Sequence, residues 1–433
     1  MDIHLSRAFS RLKFDQDILL LTAILIFLLI FALIPDQDVS VYHCYANVFW
    51  HGGQILSDPT QSWCKTFVTH SSPAPLHTLP AEYPILALGI FSLPLLFSFL
   101  PYGLSFTFLL CLIIAKLFFH VRFHISKNAG FLFLICVFLS ASTIGDRYDL
   151  IPSICVLLSL IAAEKKAFSR SYFFLALATL LKIYPFILFL PLFLEEQKQW
   201  KKKPLFFWKR YRLLGLTLVS FGASLLVAAL LSGGNAFGFA QYMFSRPLQI
   251  ESVSTSFLWL LSLIHQFSFC VTFAYGSLGI SATHAASCVP LSSSVPVIGI
   301  TILAAITFVV GISIAAVRLH KNRWTIMQTT IALLLLTLCT SKVLSPQYFI
   351  WLIPLVVWDR KRKPFWTGLC LLILFLTAII HPWLYLALPQ QHTDPQQTTG
   401  ELLFFTIVLL RNLTLLTATI LWYRMPLIVR APK

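Results

Sequence analysis

Charged residues are scarce in this chain of 433 residues: Asp, Glu, Lys and Arg together make up 11% of it. Soluble proteins carry about 25%, so this scarcity excludes a soluble enzyme and a disordered chain. Hydrophobic residues make up 58%, Phe alone occurs 39 times, and mean hydropathy is +0.82. The net charge of +16 therefore fits the cytoplasmic loops of a membrane protein better than nucleic-acid binding. We predict an all-α, polytopic membrane protein with one integral-membrane domain over residues 1–433.

Several motifs of soluble catalysis are also missing. The sequence contains no P-loop, GxGxxG, HExxH or Gly-x-Ser-x-Gly motif, and no CxxC pair that would favour zinc. Asp36 and Asp38 form a DxD-like pair, but two carboxylates are too weak a signal to predict a divalent cation. We therefore expect neither a metal nor another cofactor.

The nine cysteines fall into two groups. Cys44 and Cys64 share one hydrophilic loop, and Cys270 and Cys288 flank another. If both loops face an oxidising compartment, each pair can form a disulfide. The other five lie in apolar runs, where we expect small buried residues: Cys111, Cys136, Cys155, Cys339 and Cys370.

The first apolar run, residues 18–34, predicts a retained membrane anchor. It follows three basic residues, Arg7, Arg11 and Lys13, and no small-residue cleavage site follows it. The amino terminus is then cytoplasmic, and residues 35–84 form the first external loop. This loop contains one Lys and no Arg, as the bias of basic residues toward the cytoplasm requires.

Basic clusters mark the cytoplasmic side further along the chain. They occur at residues 122–127, 164–170, 198–212, 318–323, 359–363 and 424–433. Joining them by spans of ~20 apolar residues, some of them short, predicts about twelve transmembrane segments. The carboxyl terminus is then also cytoplasmic, residues 233–296 form a second external loop, and we expect the protein in the cell membrane.

Two apolar intervals are too short for two full spans. Residues 171–194 are interrupted at Lys182-Ile-Tyr-Pro185, and residues 324–358 at Lys342-Val-Leu-Ser-Pro346. Broken helices are tolerated at membrane depth only where they line protein or a water-filled cavity. Because each break carries a Lys, we predict that the two breaks share one cavity.

Acidic residues at the external ends of the helices are candidates for a functional role. Burying an ionisable group at membrane depth costs free energy unless it has a partner, so such residues are functional candidates by default. Asp38 precedes Tyr42 by four residues, so the two side chains share a face of any short helix, and Asp38 can serve as a general base. Asp36 is better explained as a solvated loop residue. Glu82 and Tyr83 lie where the chain re-enters the membrane.

Charges further along the chain have two explanations each. Asp146, Arg147 and Asp149 occupy one external turn and either form a salt bridge or contact substrate. Lys182 and Lys342 either bind a phosphate oxygen as point charges or extend toward the interface.

The second external loop and the second break add polar candidates. Arg246 either pairs with Glu251 or binds an anion. Gln347 follows the break at Lys342.

In order and spacing these residues resemble the GT-C class of integral-membrane glycosyltransferases, most closely glycosyltransferase family 87. The matching segments are Asp38-Val-Ser-Val-Tyr42, Glu82-Tyr83-Pro84, Asp146-Arg-Tyr-Asp149, Leu181-Lys182-Ile-Tyr-Pro185, Arg246-Pro-Leu-Gln249-Ile-Glu251-Ser252 and Ser345-Pro-Gln347-Tyr348. Two features depart from the family's pattern: Ile85 replaces a second Pro, and residues around Cys64 form an insertion.

The resemblance implies transfer of a hexose, most often mannose, from a polyprenyl-phosphate carrier to a lipid or glycan hydroxyl on the external face, with inversion. Asp38, or else Asp36, is then the catalytic base. Substrate binding falls to Tyr42, Glu82, Tyr83, Asp146, Arg147, Asp149, Lys182, Arg246, Glu251, Lys342 and Gln347.

Two functions from other classes remain open on the sequence alone. A secondary transporter or lipid flippase also uses broken helices, and a structural membrane subunit needs none of the external charges. A transferase of another group on the same scaffold is a further alternative.

Overall fold

A computed structural model describes residues 16–34, 37–68, 71–80, 82–232, 238–264, 269–274, 276–284, 287–290, 295–359, 364–386, 388 and 399–424. These residues are mostly helical, as predicted. The α-helices are α1 Gln16–Phe31, α2 Gln37–His51, α3 Ala87–Ser92, α4 Tyr102–His124, α5 Lys127–Leu139, α6 Ala141–Ile144, α7 Leu150–Glu164, α8 Phe168–Leu181, α9 Phe189–Gln197, α10 Arg212–Ser232, α11 Gly238–Ser245, α12 Val253–Leu263, α13 Val295–His320, α14 Ile326–Thr340, α15 Ile353–Trp358, α16 Pro364–Ala378 and α17 Thr399–Arg424.

Shorter helical turns extend several of these helices. The 3₁₀ turns are Gly53–Ser57, Ser62–Thr66, Leu93–Phe97, Tyr184–Leu188, Lys198–Trp200, Trp208–Arg210 and Pro346–Leu352, and a π turn spans Ile379–Leu384.

Five helices in the described residues are long and apolar enough to cross a membrane. They are Tyr102–His124, Arg212–Leu231, Val295–His320, Pro364–Leu384 and Thr399–Arg424. Eight further apolar helices have 10–17 residues, which is less than the ~20 residues of a full span. The structure therefore shows five full-length candidates where about twelve segments, some short, are predicted.

Helix breaks account for much of this difference, and both predicted breaks are present. Helix α8 ends at Leu181, Lys182 is extended (φ −152°, ψ 136°), and a 3₁₀ turn precedes α9. Helix α14 ends at Thr340 and a 3₁₀ turn begins at Pro346. The rings of Tyr184 and Trp351, one beyond each break, stack with centroids 3.8 Å apart. The two breaks are thus neighbours, and the shared cavity stays a prediction.

Helix α14 forms the centre of the core. Twelve of its fifteen residues are buried, and it packs against α7, α9, α13 and α17. Its amino terminus is fixed by a capping box, in which Thr325 and Gln328 exchange side-chain and backbone hydrogen bonds. A helix buried on most of its surface needs a largely apolar sequence. Lys342 lies in the break that follows the end of this helix.

The start of α1 identifies one end of the helix bundle. Asp17, buried, accepts a hydrogen bond of 2.7 Å from Arg122 at the end of α4 and lies 3.6 Å from Lys127. The predicted basic cluster at residues 122–127 therefore lies at the same end as the start of α1. Asp38 follows α1, so it belongs to the opposite end.

Residues 233–296, predicted to be external and called the second external segment below, include the one departure from an all-α fold in the described residues. Strands β1 Phe269–Ala274, β2 Ser277–His284 and β3 Ser287–Pro290 form an antiparallel sheet in that order. Phe269 pairs with Ala282, and Ser281 pairs with Pro290. The side chains of Cys270 and Cys288, predicted as a possible disulfide, lie outside the described residues.

Residues 35–84, predicted to be external and called the first external segment below, contain a covalent cross-link. Cys44 of α2 and Cys64 form a disulfide, which was one of the two pairings open to the sequence. The five cysteines in apolar runs form no disulfide within the described residues and are buried, as expected.

Candidate functional site

Two residues of the turn at 145–149 form ion pairs with two different elements. Arg147 forms a salt bridge with Asp38 at the start of α2, and these side chains are 15% and 27% exposed. Asp149, fully buried, lies 2.6 Å from the Lys182 ammonium at the first break. Ion pairs of the turn thus connect it both to α2 and to the first break. The sequence had left two roles open for these charges, a local salt bridge or contact with substrate.

Asp149 is held by an indole as well as by Lys182. The Trp351 Nε1–H donates to Asp149 Oδ1 at 2.6 Å, the same oxygen that Lys182 contacts. Asp149 Oδ2 is buried and receives no hydrogen bond from the residues that the structure describes. Oδ1 thus accepts two hydrogen bonds, and Oδ2 can still accept a hydrogen bond from another donor.

Lys182 is surrounded by aromatic rings. Its Nζ lies 5.2 Å from the Tyr148 ring centroid, 5.7 Å from that of Tyr348 and 5.9 Å from that of Trp351. Trp351 also stacks on Tyr348 at 4.3 Å. Ring faces stabilise an ammonium within about 6 Å, so these rings and Asp149 together favour the charged form of Lys182, which is 11% exposed.

Glu82 lies beside cations from other segments. Its Oε1 accepts a hydrogen bond of 3.0 Å from Tyr242 of α11. Burial raises the pKa of this carboxyl, whereas Tyr242, Arg246, Tyr83 and Lys182 act to lower it. Glu82 therefore belongs to one electrostatic neighbourhood with Lys182 and Arg246.

Arg246 and Lys342 connect the second break to the second external segment. Arg246 Nη2 donates to Ser277 Oγ at 2.7 Å, and its guanidinium lies 5.2 Å from the Tyr242 ring centroid. Lys342 Nζ donates to the Arg246 carbonyl oxygen at 2.9 Å. Gln347 just beyond is buried, and its Oε1 accepts no hydrogen bond from the described residues.

Tyr42 and Tyr83 form a buried aromatic cluster under these charges. Tyr42, fully buried, stacks on Phe91 at 4.3 Å and meets Tyr83 and Tyr148 edge-on at 5.7 and 5.8 Å. Rings packed in this way fix the positions of their helices. The cluster therefore ties α2, which carries Asp38, to the turn that carries Arg147.

Glu251 lies in a separate buried network. Its carboxylate forms a salt bridge with Arg411, midway along α17, and both side chains are fully buried. Tyr385 donates to the other oxygen at 2.5 Å, and Asn412 donates to the Glu251 carbonyl oxygen at 3.0 Å. The alternative that Arg246 pairs with Glu251 is therefore wrong, because Arg411 occupies that carboxylate.

Two further residues were predicted for the site. Asp146 is buried in the turn, and Asp36 lies outside the described residues. No group of three or more His, Cys, Asp or Glu side chains in the described part of the chain is placed to hold a metal ion.

The structure thus brings together four predicted cations, Arg147, Lys182, Arg246 and Lys342, near the carboxylates of Asp38, Glu82 and Asp149 at the breaks and the adjoining loops. Cations held in place by protein partners can bind an anionic oxygen. Asp38, whose side chain is 27% exposed, can accept a proton.

Sequence reasoning missed four residues in these networks: Trp351, Tyr385, Arg411 and Asn412. Arg411 and Asn412 interrupt an otherwise apolar helix, which was a usable signal. Trp351 carried none, because one Trp in an apolar run is indistinguishable from a packing residue.

Comparison with known proteins finds no matching family model, curated protein or solved structure.

Proposed function

We propose that the chain is a membrane glycosyltransferase of the GT-C type. It would transfer a hexose, mannose in the first instance, from a polyprenyl-phosphate donor to a hydroxyl of a lipid or glycan, with inversion. The observation that supports this proposal best is the partly exposed Asp38 carboxylate paired with Arg147, next to the turn that carries Asp149 and Lys182.

The proposed reaction needs one base and one anion site. Asp38 takes the proton from the acceptor hydroxyl, whose oxygen forms the new bond to the anomeric carbon. The bond from that carbon to the phosphate oxygen breaks, and the polyprenyl phosphate leaves with the electron pair. Cations placed where this charge develops lower the barrier, a role for Arg147, Lys182, Arg246 and Lys342.

Arg147 links the two requirements. In the structure its guanidinium is paired with Asp38. A phosphate that draws Arg147 away would release the Asp38 carboxylate to take the proton of the acceptor hydroxyl. Donor binding would then precede activation of the acceptor.

An apolar groove supports a lipid-linked donor. Its volume is about 410 Å³, and its lining includes Phe49, Trp50, Ile85, Leu86 and Val227. Ile85 and Leu86 closely follow Glu82 in the chain. An isoprenoid chain lying there would enter from the lipid side while its phosphate reaches the cations.

The topology proposed with this function has about twelve crossings with both termini in the cytoplasm, the shorter helices making the partial spans. The protein would then reside in the cell membrane, with Asp38 and Glu82 on the external face.

A secondary transporter or lipid flippase is the second candidate, and one observation favours it. The Glu251–Arg411 pair is fully buried halfway along α17, and charges at such depth mark transport pathways in many transporters. Each of its polar atoms is hydrogen-bonded to protein, which equally fits a structural pair.

The two functions are separated by one experiment. Purified protein in proteoliposomes receives polyprenyl-phosphomannose labelled in the sugar, together with a lipid extract as acceptor. The transferase proposal predicts label in a new lipid or glycan product. Movement of intact donor across the bilayer with no new product would support the transporter instead.

A further inference from the structure

The connection between α9 and α10 is strongly basic. Residues 198–212, named here the basic connection, contain seven Lys or Arg residues and no acidic residue. Two of the seven have protein partners that hold them. Lys198 pairs with Glu195 at 2.6 Å, and Arg210 is buried.

Arg210 gives the basic connection a defined shape. Its Nε donates to Gln197 Oε1 at 2.8 Å, and its Nη1 donates to the carbonyl oxygens of Lys203 and Pro204, both at 3.3 Å. Gln197 Nε2 in turn donates to the Arg210 carbonyl oxygen at 3.0 Å. These hydrogen bonds fold the chain back on the end of α9. They hold the backbone of the basic connection in a defined conformation, in which its other side chains are mostly exposed.

Four lysines of the basic connection are exposed, and one of them, Lys203, lies 5.8 Å from the Phe207 ring centroid. Lys201, Lys202, Lys203 and Lys209 are exposed and form no ion pair within the described residues. Between them lie exposed apolar side chains: Leu205 is 67% exposed, Phe206 98% and Trp208 62%. Exposed apolar side chains flanked by exposed basic ones are typical of segments that lie in a membrane interface.

The basic connection immediately precedes a candidate membrane span, which limits the partners that can reach it. Arg212 begins α10, a candidate membrane span that is only 11% buried within the protein. The residues immediately before Arg212 therefore lie at the membrane boundary, within reach of lipid headgroups. Lysines at this level attract anionic headgroups, and large apolar side chains enter the interface beside them.

We infer that the basic connection is a binding site for anionic lipid headgroups of the leaflet in which it lies. Lys201, Lys202, Lys203 and Lys209 hold the phosphate charge, and Phe206 and Trp208 anchor the segment among the acyl chains. An acidic protein docking on the same lysines is the competing occupant. It would leave Phe206, the most exposed ring, without an apolar environment unless it also supplied one. This inference is independent of the proposed transferase activity.

The test measures lipid selectivity at the protein boundary. The full chain is reconstituted in phosphatidylcholine membranes, and electron spin resonance gives the relative association of spin-labelled phosphatidylglycerol and phosphatidylcholine. We expect the parent protein to prefer phosphatidylglycerol. Replacing the four lysines (Lys201→Gln, Lys202→Gln, Lys203→Gln, Lys209→Gln) should lower that preference at least about fivefold, since each basic residue near the surface contributes measurably.

A matched variant removes the same charge elsewhere: Lys165→Gln, Arg170→Gln, Lys321→Gln and Arg323→Gln, all exposed. It should keep most of the preference, and Phe206→Ser should weaken it less than the four-lysine variant does. Equal selectivity in the four-lysine variant and the parent would overturn the inference. The inference would also be overturned if the parent protein showed no lipid preference and its basic connection bound soluble polyglutamate. That result would indicate an acidic protein partner. Unchanged elution on size exclusion and an unchanged melting temperature verify the fold of each variant.

Discussion

At the scale of single residues, the cations and carboxylates of the site are positioned by one another and by aromatic rings. Asp149 illustrates this: an ammonium and an indole N–H share its Oδ1. The acidic and basic members were predictable, because charge in an apolar sequence is conspicuous. Trp351, Tyr184 and Tyr348 were not assigned to the site as a stack, because ring contacts between distant segments leave no periodic signal in a sequence.

Replacing Trp351 by Phe isolates the indole hydrogen bond. Phe keeps an aromatic ring between Tyr184 and Tyr348 but cannot donate to Asp149. Since hydrogen bonds to charged groups contribute about 1.5–3 kcal/mol, we expect a loss of stability of that order, measured as a lower melting temperature in detergent. Trp366→Phe is the control, because Trp366 is equally buried but donates to the neutral Ala418 carbonyl oxygen at 3.2 Å. Equal losses in both variants would show that Asp149 gains nothing special from Trp351.

At the scale of elements, helix breaks and long-range pairs determine the arrangement. Both breaks were predicted because a Lys and a Pro interrupt an apolar run within four or five residues. The lengths of the helices around them were predictable only in part, since helix ends depend on tertiary packing. The sheet of β1, β2 and β3 was not predicted, because its strands are only four to eight residues long. Glu251 and Arg411 are separated by 160 residues, so their pairing could not be inferred from one sequence.

The Glu251–Arg411 pair gives a prediction of its own. Arg411→Met leaves Glu251 buried without its cation, which should cost about 3–5 kcal/mol of stability. Adding Glu251→Gln removes the unpaired charge, so the double variant should be more stable than Arg411→Met alone. Thermal unfolding of the parent, both single variants and the double variant completes the cycle. Additive losses would mean that the two residues do not act as a pair.

The first external segment allows a covalent test. Cys44 and Cys64 should resist alkylation in unfolded, unreduced protein, while Cys111 and Cys155 react, and reduction should make all four reactive. Replacing Cys44 and Cys64 together by Ser should lower the free energy of unfolding by about 3 kcal/mol, the cost of freeing a loop of this size. Alkylation of both thiols before reduction, detected by mass spectrometry, would contradict the disulfide.

At the scale of the whole molecule, two ends of the helix bundle differ in character. One end holds Asp17 and Arg122, and the other holds Asp38, Arg147 and the approach to both breaks. Composition alone predicted a membrane protein, and the basic clusters correctly placed residues 122–127 at the same end as the start of α1. The number of crossings was less accessible, because eight apolar helices are shorter than a full span.

The most direct test of the proposed transferase is the activity of Asp38→Asn beside the parent. Asparagine keeps the size of Asp38 and can contact Arg147 through its amide oxygen, but it cannot take a proton. Removal of a general base typically costs 10²–10⁴ in rate. Asp58→Asn is the control, since Asp58 is an exposed carboxylate of the same external segment whose Oδ1 accepts hydrogen bonds from Thr60.

The measurement is the rate of sugar transfer from labelled polyprenyl-phosphomannose into a lipid extract by each purified protein. The proposal predicts transfer by the parent and by Asp58→Asn, and a loss of at least about 100-fold in Asp38→Asn, with all three proteins equally folded. Transfer by Asp38→Asn at the parent's rate would contradict Asp38 as the base.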